Sequence, residues 1–194
     1  TKNQAVDIIA VNNNLIATGT NSDWQNQTVR TVIPASSFAS NQTTIQIKFC
    51  AGASGYASHT FLNTFIGHAS SGGNAWDFES TPTRVTWAGG SNATTIAAGV
   101  SLASDVITFN LDASKDLIFA IDTGAPSNSG LHAKTLGSGS GFATYNKAGS
   151  PPADAATVAP SGYGSNTANR IWGVDQIIFP GKITRVHGTS LAWS

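Results

Sequence analysis

The stretch Thr44-Ile45-Gln46-Ile47-Lys48-Phe49 alternates apolar and polar side chains. Successive side chains of an extended strand point to opposite faces, so Ile45, Ile47 and Phe49 share one face and the polar side chains share the other. We expect the apolar face to lie in the core and the polar face to meet water. The alternation therefore predicts a half-buried β-strand.

Similar short runs of β-branched and apolar residues recur between segments rich in Asn, Thr, Ser and Gly. This texture is typical of all-β proteins, and no 3.6-residue apolar stripe indicates a helix. The predicted strands cover residues 6–11, 29–33, 44–49, 61–68, 84–87, 106–111, 117–122, 141–145, 171–179 and 182–187. So many short strands predict a two-sheet antiparallel β-sandwich, jelly-roll-like, with long loops rich in Gly, Ser and Ala.

Two pairs of predicted strands are separated by turn-forming residues. Asp112-Ala113-Ser114-Lys115 is a polar segment between strands 106–111 and 117–122, and we expect a hairpin there. Pro180-Gly181 precedes strand 182–187, and its fixed and permissive φ values predict a type II turn and a second hairpin. The first hairpin is expected to turn its alternate apolar residues toward the core: Ile107, Phe109 and Leu111.

The chain is poor in ionisable side chains. Lys and Arg number 10, Asp and Glu number 10, and the formal net charge is zero over 194 residues. Charged residues make up 10% of the chain, against roughly 25% in ordinary soluble domains. This composition predicts a binding or building protein and not an enzyme, and the scattered cations favour neither nucleic acid nor a membrane surface as a partner.

The length suits one large β domain, or one domain with an appended arm. Residues 1–20 are predicted to form an amino-terminal strand or anchoring arm, and residues 21–194 a single β-sandwich domain. Within that domain, residues 124–169 are rich in Gly, Ser, Ala and Pro. We expect this region to form extended surface loops around a short strand.

Cysteine and histidine give no sign of a metal centre. Cys50 is the only cysteine, and its place in a strand-like run predicts a small buried side chain. The histidines His59, His68, His132 and His187 are scattered, without the spacing of a zinc site. No metal and no cofactor is therefore predicted.

Trp76, Asp77 and Glu79 are the candidate ligand-binding residues. Trp76 follows a loop rich in Ser, Gly and Asn, and flat indoles beside polar groups commonly stack on sugar rings. The opposing interpretation makes Trp76 a core residue, as we predict for Trp87 and Trp172, which lie in strand-like sequence. The glycan site is thus a hypothesis, and it depends on where Trp76 lies in the fold.

The two carboxylates of this group are one residue apart. If the segment is extended, Asp77 and Glu79 point to the same face and could hold Ca²⁺ or bind sugar hydroxyls. A solvated strand face or turn is the favoured alternative, because calcium usually recruits more than two oxygens. A glycosidase pair is the weakest interpretation, since nothing in the sequence marks a cleft.

An ordered series of short phrases runs through the first part of the chain. It comprises DW at 23–24, TVRTVIPA at 28–35, TIQIKF at 44–49, FIGHA at 65–69, WDF at 76–78, VTWAGG at 85–90, TIAAG at 95–99, SDVITF at 104–109 and LIFAI at 117–121. The series resembles the jelly-roll β-sandwich domains of tailed-bacteriophage virion proteins. It is also similar to the accessory β domain of some SGNH-type (GDSL) esterases, and it covers about half of the chain.

The catalytic motifs of such esterases do not occur in this sequence. It has no Gly-Asp-Ser-Leu block, no Gly-x-Ser-x-Gly elbow and no Asp-x-x-His near its end. The resemblance therefore implies a binding or structural module without the catalytic one.

Three functions follow as hypotheses. The leading one is a non-enzymatic structural virion protein of a tailed phage, a head-decoration, fibre or tail-associated component located in the virion. Such a protein is expected to form a homo-oligomer, to pack on other virion proteins and to contact host polysaccharide. The alternative is a carbohydrate-binding module or lectin-like adhesin, and the third is an esterase or glycosidase fragment.

Overall fold

The computed structural model describes residues 4–15, 20–23, 25–52, 56–124, 130–149, 153–164 and 170–184. Within these residues the fold is all-β, with one short 3-10 turn at Ala35–Ser37. The strands are β1 Gln4–Asn12, β2 Thr20–Asp23, β3 Gln27–Ile33, β4 Gln42–Cys50, β5 His59–His68, β6 Thr83–Arg84, β7 Thr94–Ile96, β8 Ser101–Ala103, β9 Ile107–Leu111, β10 Leu117–Thr123, β11 Gly130–Thr135, β12 Ala143–Ala148, β13 Arg170–Trp172 and β14 Val174–Thr184.

Two antiparallel sheets form the sandwich, as predicted. The first sheet has the order β1-β14-β4, and both β8 and β9 pair with the remaining edge of β4. The second has the order β12-β3-β10-β5, and β6 and β7 pair with β5. A third, small sheet, β13-β11-β2, is an addition to the prediction.

Most successive long strands cross from one sheet to the other. The chain runs from β1 to β3, β4, β5, β9 and β10 by changing sheet at every step, which gives the sandwich its jelly-roll-like character. The predicted hairpin between β9 and β10 is therefore wrong. β9 pairs with β4, whereas β10 pairs with β3 and β5, so the polar turn carries the chain across the sandwich.

The core lies between the two main sheets and contains the predicted inward faces. Ile45, Ile47 and Phe49 of β4 are fully buried, and the alternate residues of β9 are buried too. The Phe49 ring centroid lies 5.4 Å from that of Phe61 and 5.5 Å from that of Trp87. The core placement predicted for Trp87 is thereby confirmed.

The predicted burial of two other residues in this core is also confirmed. Trp172 is 2% exposed. Cys50 is fully buried, and burial raises the pKa of its thiol to about 11. A thiol with so high a pKa stays protonated at neutral pH and behaves as a small apolar side chain. The side chain of His132 and the whole of His187 lie outside the described residues.

The second predicted hairpin, at Pro180-Gly181, is also wrong. β14 continues through both residues, and the pairing register shifts between Val6 and Ile8 on β1. Gly181 has φ 68° and its N–H donates to the Asp7 carboxylate at 3.1 Å, so the chain forms a β-bulge here. Turns and bulges both use a glycine at positive φ, and the sequence signal is the same. Residues 185–187 of the predicted strand lie outside the described residues.

The strand predicted in the amino-terminal segment is present as β1, the edge strand of the first sheet. Leu15 is fully buried in the main core, and its N–H donates to Asp175 Oδ1 at 2.7 Å. The Asn13 side chain donates to the Val174 carbonyl at 2.8 Å. The described part of residues 1–20 is thus built into the sandwich.

The region 124–169 is more structured than expected. β12 occupies the place of the predicted short strand and pairs with β3, but β11 was not predicted, and it joins the third sheet. Residues 153–164 pack on the second sheet through Ala155, which is fully buried. The β11 sequence GLHAKT does alternate apolar and polar side chains, but it is short, and the surrounding Gly, Ser, Ala and Pro indicated a loop instead.

Candidate functional site

Two loops cover the outer face of the second sheet. We call them the covering loops: residues 69–82, between β5 and β6, and residues 153–164, after β12. Beneath them lies a second apolar cluster, separate from the main core, formed by Val32, Phe65, Phe78, Ile118, Ala120 and Ala155. The sheet is therefore buried on both faces, and the predicted site residues belong to one of its covers.

Arg30 holds both covering loops against the sheet. It lies on β3 and is fully buried. One guanidinium nitrogen, Nη1, donates to the Trp76 carbonyl at 2.6 Å, and the other, Nη2, donates to the Asp154 carbonyl at 2.9 Å and to the Thr157 carbonyl. The planar fork of arginine can serve several acceptors at once, so one side chain joins the two loops.

Aromatic rings complete the surroundings of this buried cation. The Arg30 guanidinium carbon lies 4.4 Å from the ring centroid of Phe78 and 5.5 Å from that of Tyr163. Burial lowers the pKa of Arg30, while Tyr163, Asp77 and Asp154 act in the opposite sense. Burial also raises the pKa of Tyr163 to about 12. Carbonyl oxygens and ring faces thus compensate the cation for lost water.

Trp76 is half-buried within the covering loops. Its indole N–H donates to the Pro160 carbonyl at 3.2 Å. The ring stacks on Tyr163 with centroids 5.8 Å apart and lies 5.0 Å from the Tyr145 ring. Protein groups therefore already occupy the indole N–H and contact the ring of Trp76. This weakens the case for Trp76 as the residue on which a sugar ring stacks.

Asp77 is a buried loop residue. One carboxylate oxygen, Oδ2, accepts the Asn74 N–H at 2.8 Å and the Asn74 side-chain amide at 3.2 Å. The other, Oδ1, is buried without a hydrogen-bond partner among the described residues. These bonds close the loop that precedes Trp76.

Glu79 lies in a different environment. It is exposed, and the Lys115 ammonium lies 2.6 Å from Oε1 and 2.8 Å from Oε2. Glu79 in turn raises the pKa of Lys115. Because Asp77 is buried and Glu79 exposed, the two carboxylates do not share a face. The segment is not a regular strand, so the alternation on which that expectation rested does not apply.

The Glu79–Lys115 pair lies in a cleft of about 240 Å³, which we call the Glu79 cleft. One wall is the first covering loop, and the other is the turn from β9 to β10. The polar residues lining it are Ser70, Ser71, Glu79, Ser114, Lys115 and Asp116.

Backbone hydrogen bonds fix both walls of the Glu79 cleft. Ala69 N–H donates to the Asp116 carbonyl and Glu79 N–H to the His68 carbonyl, each at 2.9 Å. His68 Nε2 accepts the Asp112 N–H at 2.9 Å, which ties the turn to β5. The cleft is therefore preformed.

The protonation state of His68 is part of this construction. A ring nitrogen that accepts an N–H carries no proton. Burial lowers the pKa of His68, and the positive charge of Lys115 lowers it further, while Glu79 and Asp112 oppose the shift. His68 is therefore held neutral at neutral pH.

Exposed apolar side chains collect at the edges of the first sheet. On β1, Ile8 is 44% exposed and Ile9 is 50% exposed. They line a groove of about 260 Å³ together with Ala10, Ala39, Gln42 and Phe179, and we call it the β1 groove. At the opposite edge, beside β8 and β9, the exposed apolar side chains are Val100, Leu102 and Val106.

Sequence reasoning missed Arg30, Lys115 and the β1 groove. A lone arginine inside the apolar run of β3 was an available signal, because a charge in a buried strand needs partners. Lys115 and Glu79 are far apart in sequence, and nothing local connects them.

Within the described ranges, no group of three or more His, Cys, Asp or Glu side chains is placed to hold a metal ion. The same residues include no helix long and apolar enough to cross a membrane. Compared with known proteins, the chain matches no protein-family model and no curated protein.

Proposed function

We propose that this protein is a non-enzymatic structural component of a tailed-phage virion, a head-decoration, fibre or tail-associated protein that assembles with copies of itself and with other virion proteins. The observation that carries the assembly part is the exposed apolar surface at both edges of the first sheet. The virion part is supported by the sequence phrases that resemble the jelly-roll domains of tailed-phage virion proteins. These phrases lie in both sheets of the sandwich.

The β1 groove suits a protein partner. β1 pairs with β14 on one side only among the described residues, so it is an edge strand. The side chains that line the groove are apolar or uncharged, and desolvating them costs little. Grooves of this kind at a sheet edge commonly mark protein interfaces.

The partner that these edges fit is a second copy of the same chain. Both apolar edges belong to the first sheet. The β1 groove lies at one edge, and the other edge carries the exposed side chains of Val100, Leu102 and Val106. Packing one edge into the opposite edge of the next copy joins copies head to tail, and such contacts close into rings or extend into filaments. The formal net charge of zero adds no long-range repulsion between copies.

The solution mass of the protein tests this proposal. Light scattering of the purified chain should give a defined oligomer, and Ile9→Lys should reduce it to the 19.9 kDa monomer by placing a charge in the groove. Val158→Lys is the matched control, because Val158 is an exposed apolar residue on a covering loop, away from both edges. A wild-type monomer, or an oligomer that survives Ile9→Lys, would overturn assembly through these edges.

A carbohydrate-binding module or lectin-like adhesin is the second candidate function, and the Glu79 cleft is the observation that favours it. The cleft is preformed and presents hydroxyls, two carboxylates and an ammonium group at the surface. Glycan-array binding by the purified protein tests this function. Binding to a glycan would support it, and an array without any bound glycan would contradict it.

A further inference from the structure

We infer that the Glu79 cleft is the carbohydrate subsite, and that it takes one neutral hexose unit of a polysaccharide. This inference rests on the second candidate function. It moves the sugar site from Trp76 to the ion pair on the other side of the first covering loop.

The charge of the cleft selects a neutral ligand. One positive side chain, Lys115, stands against two negative ones, Glu79 and Asp116, which leaves a net charge of −1. An anion would face two carboxylates. A cation would compete with Lys115 for Glu79. A neutral ligand avoids both penalties.

The unused hydrogen-bond donors and acceptors of the cleft suit hydroxyl groups. Lys115 carries three N–H donors and the Glu79 carboxylate about four acceptor positions, of which their mutual contacts use two on each side. Ser70 Oγ accepts the Gly72 N–H and can still donate. Ser114 Oγ donates to Asp112 and can still accept. A cleft that offers both donors and acceptors suits vicinal hydroxyls, each of which both donates and accepts.

The size of the cleft points to a single sugar unit. Pockets for drug-sized ligands measure roughly 300–1,000 Å³. The Glu79 cleft, at about 240 Å³, is smaller. The cleft is small and partly open to solvent, so a single site should bind weakly. Repeated clefts on a symmetric oligomer would raise the avidity for a polysaccharide with many equivalent units.

Saturation-transfer NMR on the full chain tests the inference, with free glucose, galactose, mannose and N-acetylglucosamine as probes in the millimolar range. At least one should bind, and both Glu79→Ala and Lys115→Met should weaken it by about tenfold or more, since each removes a charged hydrogen-bonding group. Both side chains are partly exposed, so thermal denaturation should show folded variants. The control is Trp76→Phe, which keeps an aromatic ring and should bind like the wild type.

Each other result has a defined meaning. Binding that survives both cleft variants but is lost in Trp76→Phe would overturn the cleft assignment and leave the glycan function standing at Trp76. Glycan-array binding without any monosaccharide signal would overturn the single-hexose subsite alone. A blank array as well would remove the second function, while the edge-assembly proposal would still be decided by the solution mass.

Discussion

At the scale of single residues, the charged groups with the most buried surroundings act as internal braces. Arg30 joins two loops to a strand. Asp122 accepts the Thr28 hydroxyl at 2.6 Å and the Ala155 N–H at 3.1 Å, and so holds the second covering loop. Although the chain has few charged residues, several of them therefore have a structural role.

Replacing Arg30 by Met should lower the free energy of unfolding by about 3 kcal/mol, because three carbonyls lose a charged donor. The covering loops should also become sensitive to protease. Urea denaturation and limited proteolysis measure the two effects. Arg84→Met is the control, since Arg84 also lies over a ring, that of Phe65, but is exposed, and we expect a loss below about 1 kcal/mol. Equal losses in the two variants would contradict the bracing role.

His68 should make stability depend on pH. Its pKa is lower in the folded protein than the usual 6.5, so the unfolded chain binds the proton more readily. The stabilising contribution of neutral His68 is complete above about pH 6.5 and is lost as the pH falls from there toward the folded pKa. His68→Gln keeps an acceptor for the Asp112 N–H but does not titrate. Urea denaturation between pH 7.5 and 5 should show a smaller loss for His68→Gln than for the wild type, and parallel profiles would refute this.

At the scale of elements, the covering loops fit the second sheet because one of its strands carries a glycine. A Cβ added to Gly67 on β5 would lie 2.6 Å from Cδ1 of Phe78, which is buried. The Phe78 backbone N–H donates to the Val158 carbonyl at 2.8 Å, so this residue also joins one covering loop to the other. The missing side chain is what allows the loop to approach.

Gly67→Ala should therefore destabilise the protein by roughly 1–3 kcal/mol through overpacking. Gly72→Ala is the control, because nothing lies within 4 Å of a Cβ at that position. We expect a change below about 0.5 kcal/mol there. Thermal and urea denaturation of the two variants decide the point. If Gly67→Ala is as stable as Gly72→Ala, the loop does not depend on this close approach.

At the scale of the whole molecule, the amino-terminal segment is part of the sandwich. Deleting residues 1–19 would remove β1 from the first sheet and Leu15 from the core. We expect the truncated chain to lose cooperative unfolding, followed by circular dichroism. Leu15→Ala is the milder companion, with an expected loss of roughly 2–5 kcal/mol. A truncated protein as stable as the full chain would instead show that the segment is a dispensable arm.

The strands and their inward faces could be predicted, because alternation is a local property. The pairs Ile45 with Ile47 and Ile107 with Phe109 are buried as the period of two requires. Which strands pair with each other could not be predicted. Alternation is the same in a hairpin and in a strand that crosses the sandwich, so β9 and β10 were assigned to one sheet.

The three candidate ligand-binding residues named from the sequence lie in different surroundings. Glu79 lies in a cleft, but Trp76 and Asp77 are engaged in the covering loops, and the partner of Glu79 is 36 residues further along the chain. Arg30 reaches Asp154 across 124 residues. No sequence window spans such distances.

By itself, the amino-acid sequence determined the all-β class, the positions of most strands and the faces that they bury, since these depend on residues a few positions apart. Tertiary structure alone decided which strands pair, that Gly181 forms a bulge, that Arg30 joins two loops and that Glu79 meets Lys115. Those features depend on contacts between distant segments, and such contacts exist only once the sheets have paired and packed.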